Sequence, residues 1–328
     1  MSSSPRPPSS PSRPAPGWSA PSVRPPHRAA RSRPRNAALL AVGVAVALTL
    51  GACSGSDDDE TPPPASPPAP TDIAGPPDTA VARYVALGDS FAALGPTNAP
   101  TSGPDACLRS TRNYPSLLAG DIRPGEFVDA TCGGARTVDM TAPQIPETPP
   151  QFDALTAETD LVTLSIGGND IGFGDIVGCV MRTARVADGA PCRERLDEVT
   201  SDALDGLPGR LDAVYAGIRE RSPDARIVTT AYLPLVPERG GCDFVARMSP
   251  GDVDWTRSVT ERINRVVVDA ADRAGAEAVL PDDAASRHAC APVARRYTDF
   301  TGVETASHPM HPTAAGHRAM AEAVADVL

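Results

Sequence analysis

The sequence predicts an α/β fold, a three-layer α/β/α sandwich in which a central, mostly parallel five-stranded sheet lies between helices. Short β-prone runs alternate with longer amphipathic segments from about residue 83 to the C-terminus. This alternation is typical of a parallel sheet that is covered on both faces. Polar, glycine-containing motifs follow the first three runs, at the sheet edge where open α/β folds place their functional sites.

Each predicted strand is a short run rich in apolar or β-branched residues. The five strands are Tyr84–Leu87, Glu126–Ala130, Leu161–Ile166, Arg226–Thr230 and Glu277–Leu280. Apolar residues recur at helical spacing at Leu204, Leu207, Leu211, Val214, Tyr215 and Ile218, and again at Val259, Ile263, Val266, Val267 and Ala270. We expect both apolar stripes to pack against the sheet. A last helix is expected to begin near Pro312, a residue that suits the first helical turn, and to run to about Val327.

The N-terminal region has the pattern of an export signal. Residues 1–36 are rich in Pro, Ser and Arg and contain no acidic residue, and the apolar run from Ala37 to Leu50 follows them. A basic segment, a short apolar segment and small residues before a cleavage point are typical of a signal peptide. The apolar run is too short to span a bilayer core of ~30 Å comfortably.

Leu50-Gly51-Ala52-Cys53 follows the apolar run and resembles a bacterial lipobox, whose cysteine is acylated and becomes the mature N-terminus. The resemblance implies a lipoprotein signal peptide over residues 1–52, with Cys53 lipidated and the protein anchored on the outer face of the cell membrane. Ordinary secretion is the alternative. Residues 53–78 are mostly Ser, Asp, Pro and Ala, so we expect a disordered tether. Residues 79–328 then form one domain.

Ser90 stands at a position that suits a nucleophile. It lies in Gly88-Asp89-Ser90-Phe91, directly after the first predicted strand. A serine at the end of a buried strand is held rigidly and is exposed at the carboxyl edge of the sheet. Its hydroxyl needs a neighbouring base to take its proton at neutral pH. His311, in Ser307-His308-Pro309-Met310-His311-Pro312, is the candidate base.

Two further motifs supply candidate hydrogen-bond donors for an oxyanion. Thr131-Cys132-Gly133-Gly134-Ala135 follows the second predicted strand, and Ile166-Gly167-Gly168-Asn169-Asp170 follows the third. Glycine lets the backbone approach a ligand and offers its N–H, and asparagine offers a side-chain amide. Taken singly, each motif is equally consistent with a turn or a polar loop. A serine, a glycine, an asparagine and a histidine in this order form a complete set for acyl transfer.

This set of motifs resembles the SGNH (GDSL-type) hydrolases, with a match from about Arg83 to the C-terminus. The resemblance implies the SGNH hydrolase fold and a serine esterase or lipase. It implies that Ser90 is the nucleophile and His311 the base, and that Ser90, Gly134 and Asn169 supply the oxyanion hole. The C-terminal sequence that begins at His311 resembles the actinobacterial secreted branch of the family. The α/β-hydrolase fold is disfavoured, because Ala92 stands where Gly-x-Ser-x-Gly requires its last glycine.

The sequence departs from the family at the carboxylate that usually orients the histidine. The family carries an aspartate three residues before the histidine, where this chain has His308. A histidine cannot replace an always-charged carboxylate at neutral pH. The resemblance to dyad-bearing members implies a Ser–His dyad in which a backbone carbonyl near Ser307 or His308 accepts the imidazole N–H. Asp282 and Asp283 are the alternative carboxylates, which we expect in a solvated loop.

Six cysteines remain once Cys53 is set aside, and an even number suggests three disulfides in an exported chain. They are Cys107, Cys132, Cys179, Cys192, Cys242 and Cys290. Counting alone leaves every connectivity open. The resembled branch implies sequential pairing: Cys107 with Cys132, Cys179 with Cys192, and Cys242 with Cys290. No two cysteines form a C-x-x-C pair, and we expect neither a metal site nor a cofactor.

Composition limits the partners and the substrate. The net charge of −11, more negative once the basic signal is removed, argues against nucleic acid and against electrostatic docking on an anionic membrane. We expect a monomer that meets the membrane only through its lipid anchor. Aromatic residues make up only 4% of the chain, which favours a lipid or short acyl ester as substrate. A carbohydrate O-acetylesterase is the alternative. We expect the segment from residue 170 to 176, which continues to the Cys179–Cys192 loop, to shape the acyl pocket. A purely structural role for this loop is an equal alternative.

Two other classes of function fit these residues less well. A non-catalytic surface lipoprotein with the same fold would bind a ligand and would have no need of Ser90, Asn169 and His311 together. A metal-dependent hydrolase would use His308, His311 and His317, but no nearby carboxylate completes such a site.

Overall fold

The computed structural model describes residues 81–328. The predicted signal peptide, the proposed lipidation site Cys53 and the predicted tether over residues 53–78 lie outside the described residues. Within residues 81–328, none of the helices combines the length and the apolar character that crossing a bilayer requires.

Five parallel strands form the central sheet. They are β1 (Arg83–Gly88), β2 (Glu126–Asp129), β3 (Leu161–Ser165), β4 (Arg226–Thr230) and β5 (Glu277–Val279), in the spatial order β2-β1-β3-β4-β5. The strand β3 is buried along its whole length, as is β1 from Tyr84 onward. Strands covered on both faces carry continuous apolar runs, as β1 and β3 do. All five observed strands agree with the predicted ones to within about two residues.

Helices cover both faces of this sheet. They are α1 (Ser90–Ala93), α2 (Tyr114–Ile122), α3 (Phe173–Arg182), α4 (Pro191–Arg221), α5 (Asp243–Ala246), α6 (Pro250–Arg273) and α7 (Ala314–Ala325). The helix α4 packs on α6, and α2 packs on α7. The connection from β1 to β2 runs through α2 towards one edge of the sheet, and the connection from β3 to β4 runs through α4 towards the other edge. Because both crossovers are right-handed, the pair α2 and α7 and the pair α4 and α6 lie on opposite faces. The predicted apolar stripe of α4 is buried.

The last helix begins later than predicted. Pro312 lies in β7 (His311–Pro312), which pairs antiparallel with β6 (Thr298–Asp299). Thr313 then caps α7, and its hydroxyl accepts the backbone N–H of Gly316. The expected helix is therefore present, and only Pro312 differs, because a proline suits the start of a helix and an edge strand about equally well.

Residues 81–328 contain three disulfides, in the sequential pairing that the family resemblance implied. The first disulfide joins Cys107 to Cys132. Gly133 directly follows Cys132, and its N–H donates to the carbonyl of Cys107 at 2.9 Å. Cys179–Cys192 joins α3 to α4. Cys242–Cys290 ties the start of α5 to the loop after β5.

Candidate active site

Ser90 begins α1 where β1 ends. Asp89 caps this short helix, and its Oδ1 accepts the N–H of Phe91 at 2.9 Å. Gly88 allows the close approach of β1 to β3, because a Cβ at this position would lie 2.5 Å from the carbonyl oxygen of Ser165. No acceptor for the backbone N–H of Ser90 is found among residues 81–328. This N–H is therefore available to a ligand.

His311 is in hydrogen-bond contact with Ser90. Its Nε2 lies 2.8 Å from Ser90 Oγ, and its Nδ1 lies 2.7 Å from the carbonyl oxygen of Pro309. A carbonyl can only accept, so Nδ1 carries the proton and Nε2 is left to accept one from the hydroxyl. The accepting carbonyl is that of Pro309, directly after His308, in the segment where a backbone acceptor was expected from the sequence.

Desolvation keeps His311 neutral. The rings of Phe91 and Phe173 pack around the imidazole, with centroids 5.3 and 5.8 Å away. Burial lowers the pKa of His311 to about 4, against the smaller opposing effect of its bond to Pro309. At neutral pH the imidazole is thus uncharged and able to act as a base.

The loop that carries His311 is fixed by Asp299. The carbonyl of Asp299 accepts the N–H of Met310 at 2.7 Å, and its Oδ1 accepts the N–H groups of Thr301 and Gly302 at 3.0 Å each. Neither alternative carboxylate orients the imidazole, since Asp282 is exposed and Asp283 accepts from Arg287 Nε at 2.7 Å.

The two predicted donor loops meet beside Ser90. Gly134 has φ +82°, and its N–H finds no acceptor within the described part of the chain. Asn169 donates one N–H of its amide to the carbonyl of Ala135 at 2.9 Å, which ties the two loops together. An amide nitrogen carries two hydrogens, so one remains for a ligand.

Sequence reasoning missed Tyr232 and the part played by Asp89. The Tyr232 hydroxyl donates to Asp89 Oδ2 at 2.6 Å and accepts the N–H of Gly168 at 2.7 Å. Burial raises the pKa of Asp89 to about 7 and holds that of Tyr232 well above its usual range. The only available signal was the place of Tyr232 just after β4, at the same sheet edge as the other motifs.

An apolar pocket of about 800 Å³, including its open mouth, adjoins Ser90. Its apolar lining includes Ile171, Phe173, Ile176, Val177, Val180, Leu233, Leu235, Val236, Phe244, Met248, Val259, Ile263, Phe300 and Met310. The region that the sequence indicated contributes five of these residues, Ile171, Phe173, Ile176, Val177 and Val180. Asp170 instead accepts hydrogen bonds from Thr137, and the two bridged cysteines themselves are not part of the lining. The apolar stripe of α6 was expected only to pack on the sheet, but Val259 and Ile263 also line the pocket.

The three C-terminal histidines do not converge on one point. Both ring nitrogens of His311 are engaged, and Nδ1 of His317 accepts the N–H of Tyr114 at 3.2 Å. The ring centroid of His308 lies 6.5 Å from that of His311. Among residues 81–328, no group of three or more His, Cys, Asp or Glu side chains is arranged to hold a metal ion.

A family model described as GDSL-like lipase/acylhydrolase matches residues 86–319. The chain belongs to this family. A relative described as Lipase 2 of Streptomyces coelicolor is 36% identical over 255 residues, which are 75% of this chain and 85% of the relative. A lipase of Streptomyces rimosus is 36% identical over 159 residues, 48% of this chain and 55% of the relative.

Two solved structures extend the match to the fold of this GDSL-like family member. A phospholipase A1 from Streptomyces albidoflavus is 28% identical with a TM-score of 0.60, over 75% of this chain and 99% of that one. An extracellular lipase from Streptomyces rimosus is 26% identical with a TM-score of 0.63, over the same shares. The resemblance and the α/β fold expected from the sequence are confirmed, and the chain is a carboxylic ester hydrolase.

Proposed function

We propose that this GDSL-like hydrolase is an exported serine esterase or lipase that acts through a Ser90–His311 dyad and an acyl-enzyme. The observation that carries the proposal is the 2.8 Å contact from His311 Nε2 to Ser90 Oγ. The bond from Nδ1 to the Pro309 carbonyl supports it, because that bond fixes the tautomer that a general base needs.

In the proposed reaction, Ser90 Oγ attacks the ester carbonyl while His311 Nε2 takes the hydroxyl proton. The negative charge that develops on the carbonyl oxygen is stabilised by the N–H groups of Ser90 and Gly134 and by the free amide hydrogen of Asn169. His311 then delivers its proton to the leaving alcohol, and an acyl-enzyme remains. Water attacks the acyl group, His311 takes a proton from the water, and the acid leaves as Ser90 Oγ is reprotonated.

The pocket beside Ser90 favours a lipid or acyl ester over a carbohydrate ester. Beyond Asp89, Ser90 and Asn169, the polar lining residues are Tyr232, Thr256 and Thr260, whose hydroxyls already donate within the protein. The rest of the lining is apolar, and burial of each CH2 of an acyl chain contributes about 0.8 kcal/mol. A sugar would need convergent hydrogen-bond partners in their place. The phospholipase A1 among the similar structures makes phospholipids a substrate to test.

Export is part of the same proposal. Three disulfides stabilise residues 81–328, and such bonds persist in oxidising compartments. We propose that residues 1–52 are removed and that acylated Cys53 anchors the protein, with free secretion as the alternative. The test compares wild type with Cys53→Ser in the native host. Release of Cys53→Ser into the medium supports the anchor, whereas equal amounts of both proteins in the medium contradict it.

The catalytic proposal is tested with p-nitrophenyl esters from acetate to palmitate, with phosphatidylcholine and with acetylated xylan. Ser90→Ala is assayed beside wild type, with and without EDTA. Turnover that depends on chain length, resists EDTA and falls by at least ~10³-fold in Ser90→Ala is the expected result. Equal inactivity of both folded proteins on every ester would favour the binding lipoprotein. Activity on xylan alone would favour the carbohydrate esterase.

A further inference from the structure

Two loops of the candidate site are joined by one hydroxyl group. Asp89 directly precedes Ser90 at the end of β1, and Gly168 directly precedes Asn169 after β3. The hydroxyl of Tyr232 lies between them, since it donates to Asp89 Oδ2 at 2.6 Å and accepts the Gly168 N–H at 2.7 Å. The residue before the nucleophile and the residue before the oxyanion donor are thereby held at the two ends of one short chain of hydrogen bonds.

Tyr232 is itself held in place from three sides. Its backbone N–H donates to Oδ1 of Asn264 on α6 at 2.8 Å, and its carbonyl accepts from Nδ2 of the same amide at 2.9 Å. Its ring meets the ring of Phe91 edge to face, with centroids 5.0 Å apart. A Cβ on Gly168 would lie 3.1 Å from the Tyr232 hydroxyl oxygen. The hydroxyl therefore has little freedom to move.

The hydroxyl also acts as a spacer. Asp89 and Tyr232 are both buried, and a buried donor or acceptor left without a partner costs about 1–3 kcal/mol. Without the hydroxyl, the Gly168 N–H and the Asp89 carboxylate would each lose a partner. The least costly repair is a direct bond between them, which would draw the Asn169 loop towards the Ser90 loop.

We propose that Tyr232 is a positioning residue that sets the spacing between the nucleophile Ser90 and the oxyanion donor Asn169. The inference rests on the proposed roles of these two residues. A displacement of about 1 Å in such a site can cost ~10²-fold in rate, and the loss of one oxyanion donor costs about 10²–10³-fold. Tyr232 lines the pocket, but its hydroxyl is engaged with Asp89 and Gly168 and its ring remains in Tyr232→Phe. We therefore expect the effect to fall on kcat.

The test compares Tyr232→Phe with two matched controls in the whole protein. Tyr84 and Tyr215 are buried tyrosines whose hydroxyls each bond a threonine at 2.7 Å, away from Ser90. We expect Tyr232→Phe to lower kcat on a short p-nitrophenyl ester by about 10–100-fold with KM within about twofold. Tyr84→Phe and Tyr215→Phe should lose similar thermal stability and keep their kcat.

A double-variant cycle separates positioning from general damage. If Tyr232 acts through Asn169, Tyr232→Phe should cost almost nothing further in an Asn169→Ala background. Asp89→Asn breaks the same chain of bonds from its other end and should lower kcat to a similar degree. The inference would be overturned if the losses in kcat from Tyr232→Phe and Asn169→Ala multiplied in the double variant. It would also be overturned if Tyr232→Phe had the same kcat as Tyr84→Phe. The proposed catalytic role of Ser90 is tested separately: it stands if wild type is active and Ser90→Ala is inactive, and it fails if Ser90→Ala retains wild-type turnover.

Discussion

The Nδ1 atom of His311 donates to the carbonyl oxygen of Pro309, only two residues earlier in the same loop. A main-chain acceptor thus occupies the place where the family usually has an aspartate. The loop is held by the pairing of β6 with β7 and by the hydrogen bonds of Asp299 to Thr301 and Gly302. The imidazole is therefore oriented directly by a main-chain carbonyl, and the buried carboxylate of Asp299 acts only on the loop that carries it.

His308→Ala should leave kcat/KM within about twofold of wild type. Its ring is half-buried and offers no hydrogen bond to His311, and the orienting carbonyl belongs to Pro309. His311→Ala serves as the opposite control and should lose at least ~10³-fold. A loss for His308→Ala that approaches that of His311→Ala would mean that the main-chain carbonyl does not suffice.

Activity should persist at unusually acid pH. Burial lowers the pKa of His311 to about 4, whereas an ordinary histidine is protonated below about 6.5. Only the neutral imidazole can accept the Ser90 proton, so kcat/KM should fall as the pH drops through about 4. A half-maximal point near pH 6.5 would contradict this. Any second inflection near pH 7 that disappears in Asp89→Asn belongs to Asp89, whose pKa burial raises to about 7.

His317 should make the protein less stable in acid. Burial lowers its pKa to about 3 in the folded state, below the value of about 6.5 in the unfolded chain. The unfolded state then binds more protons between these values, so the free energy of unfolding falls as the pH falls from about 6.5. His317→Asn, which can still accept the Tyr114 N–H, should flatten that dependence in urea titrations from pH 7 to 4. An unchanged slope would show that His317 does not titrate in this way.

Phe244→Ala should extend the range of accepted acyl chains. Phe244 and Phe300 stack at 4.2 Å, and both rings line the apolar pocket on one side and a surface crevice beside Arg247 on the other. Removal of one ring joins the two spaces, so the ratio of palmitate to butyrate turnover should rise. Phe127→Ala removes a ring stacked on Tyr84, outside the pocket lining, and should leave the ratio unchanged. An unchanged ratio in Phe244→Ala would mean that this wall does not limit chain length.

The disulfides should differ in their effect on catalysis. Replacing both Cys107 and Cys132 by serine should cost about 2–4 kcal/mol of stability. It should also lower kcat, because the bridge holds in place the backbone carbonyl of Cys107 that accepts the N–H of Gly133, next to Gly134. The paired replacement of Cys179 and Cys192, which do not line the pocket, should cost stability alone. Melting curves and kcat of the two variants check this. If the variant without the Cys107–Cys132 bridge kept the wild-type kcat, that bridge would not hold the Gly134 loop.

The sequence predicted those features that leave a local pattern. The strands β1 and β3 were easily located because their burial demands apolar runs. Ser90, Gly134 and Asn169 were proposed as site residues because each lies in a motif that follows a strand. The Pro309 carbonyl could not be found, since every residue has a carbonyl and only the turn of the loop decides which one meets the imidazole. The hydrogen bond from Tyr232 to Asp89 joins residues that are 143 positions apart in the chain. Only the order of the strands in space brings these two side chains together.

The pocket and the reacting atoms come from different parts of the chain. The proposed chemistry uses groups that follow β1, β2 and β3 together with His311, whereas most of the apolar wall comes from α3, residues 233–248 and α6. Apart from Phe173, which packs against His311, substitutions in that wall can reshape the space for an acyl chain without touching an atom that takes part in bond breaking. Selection can therefore adapt such an enzyme to the lipids of a new environment while its reaction rate on a fitting ester is inherited unchanged.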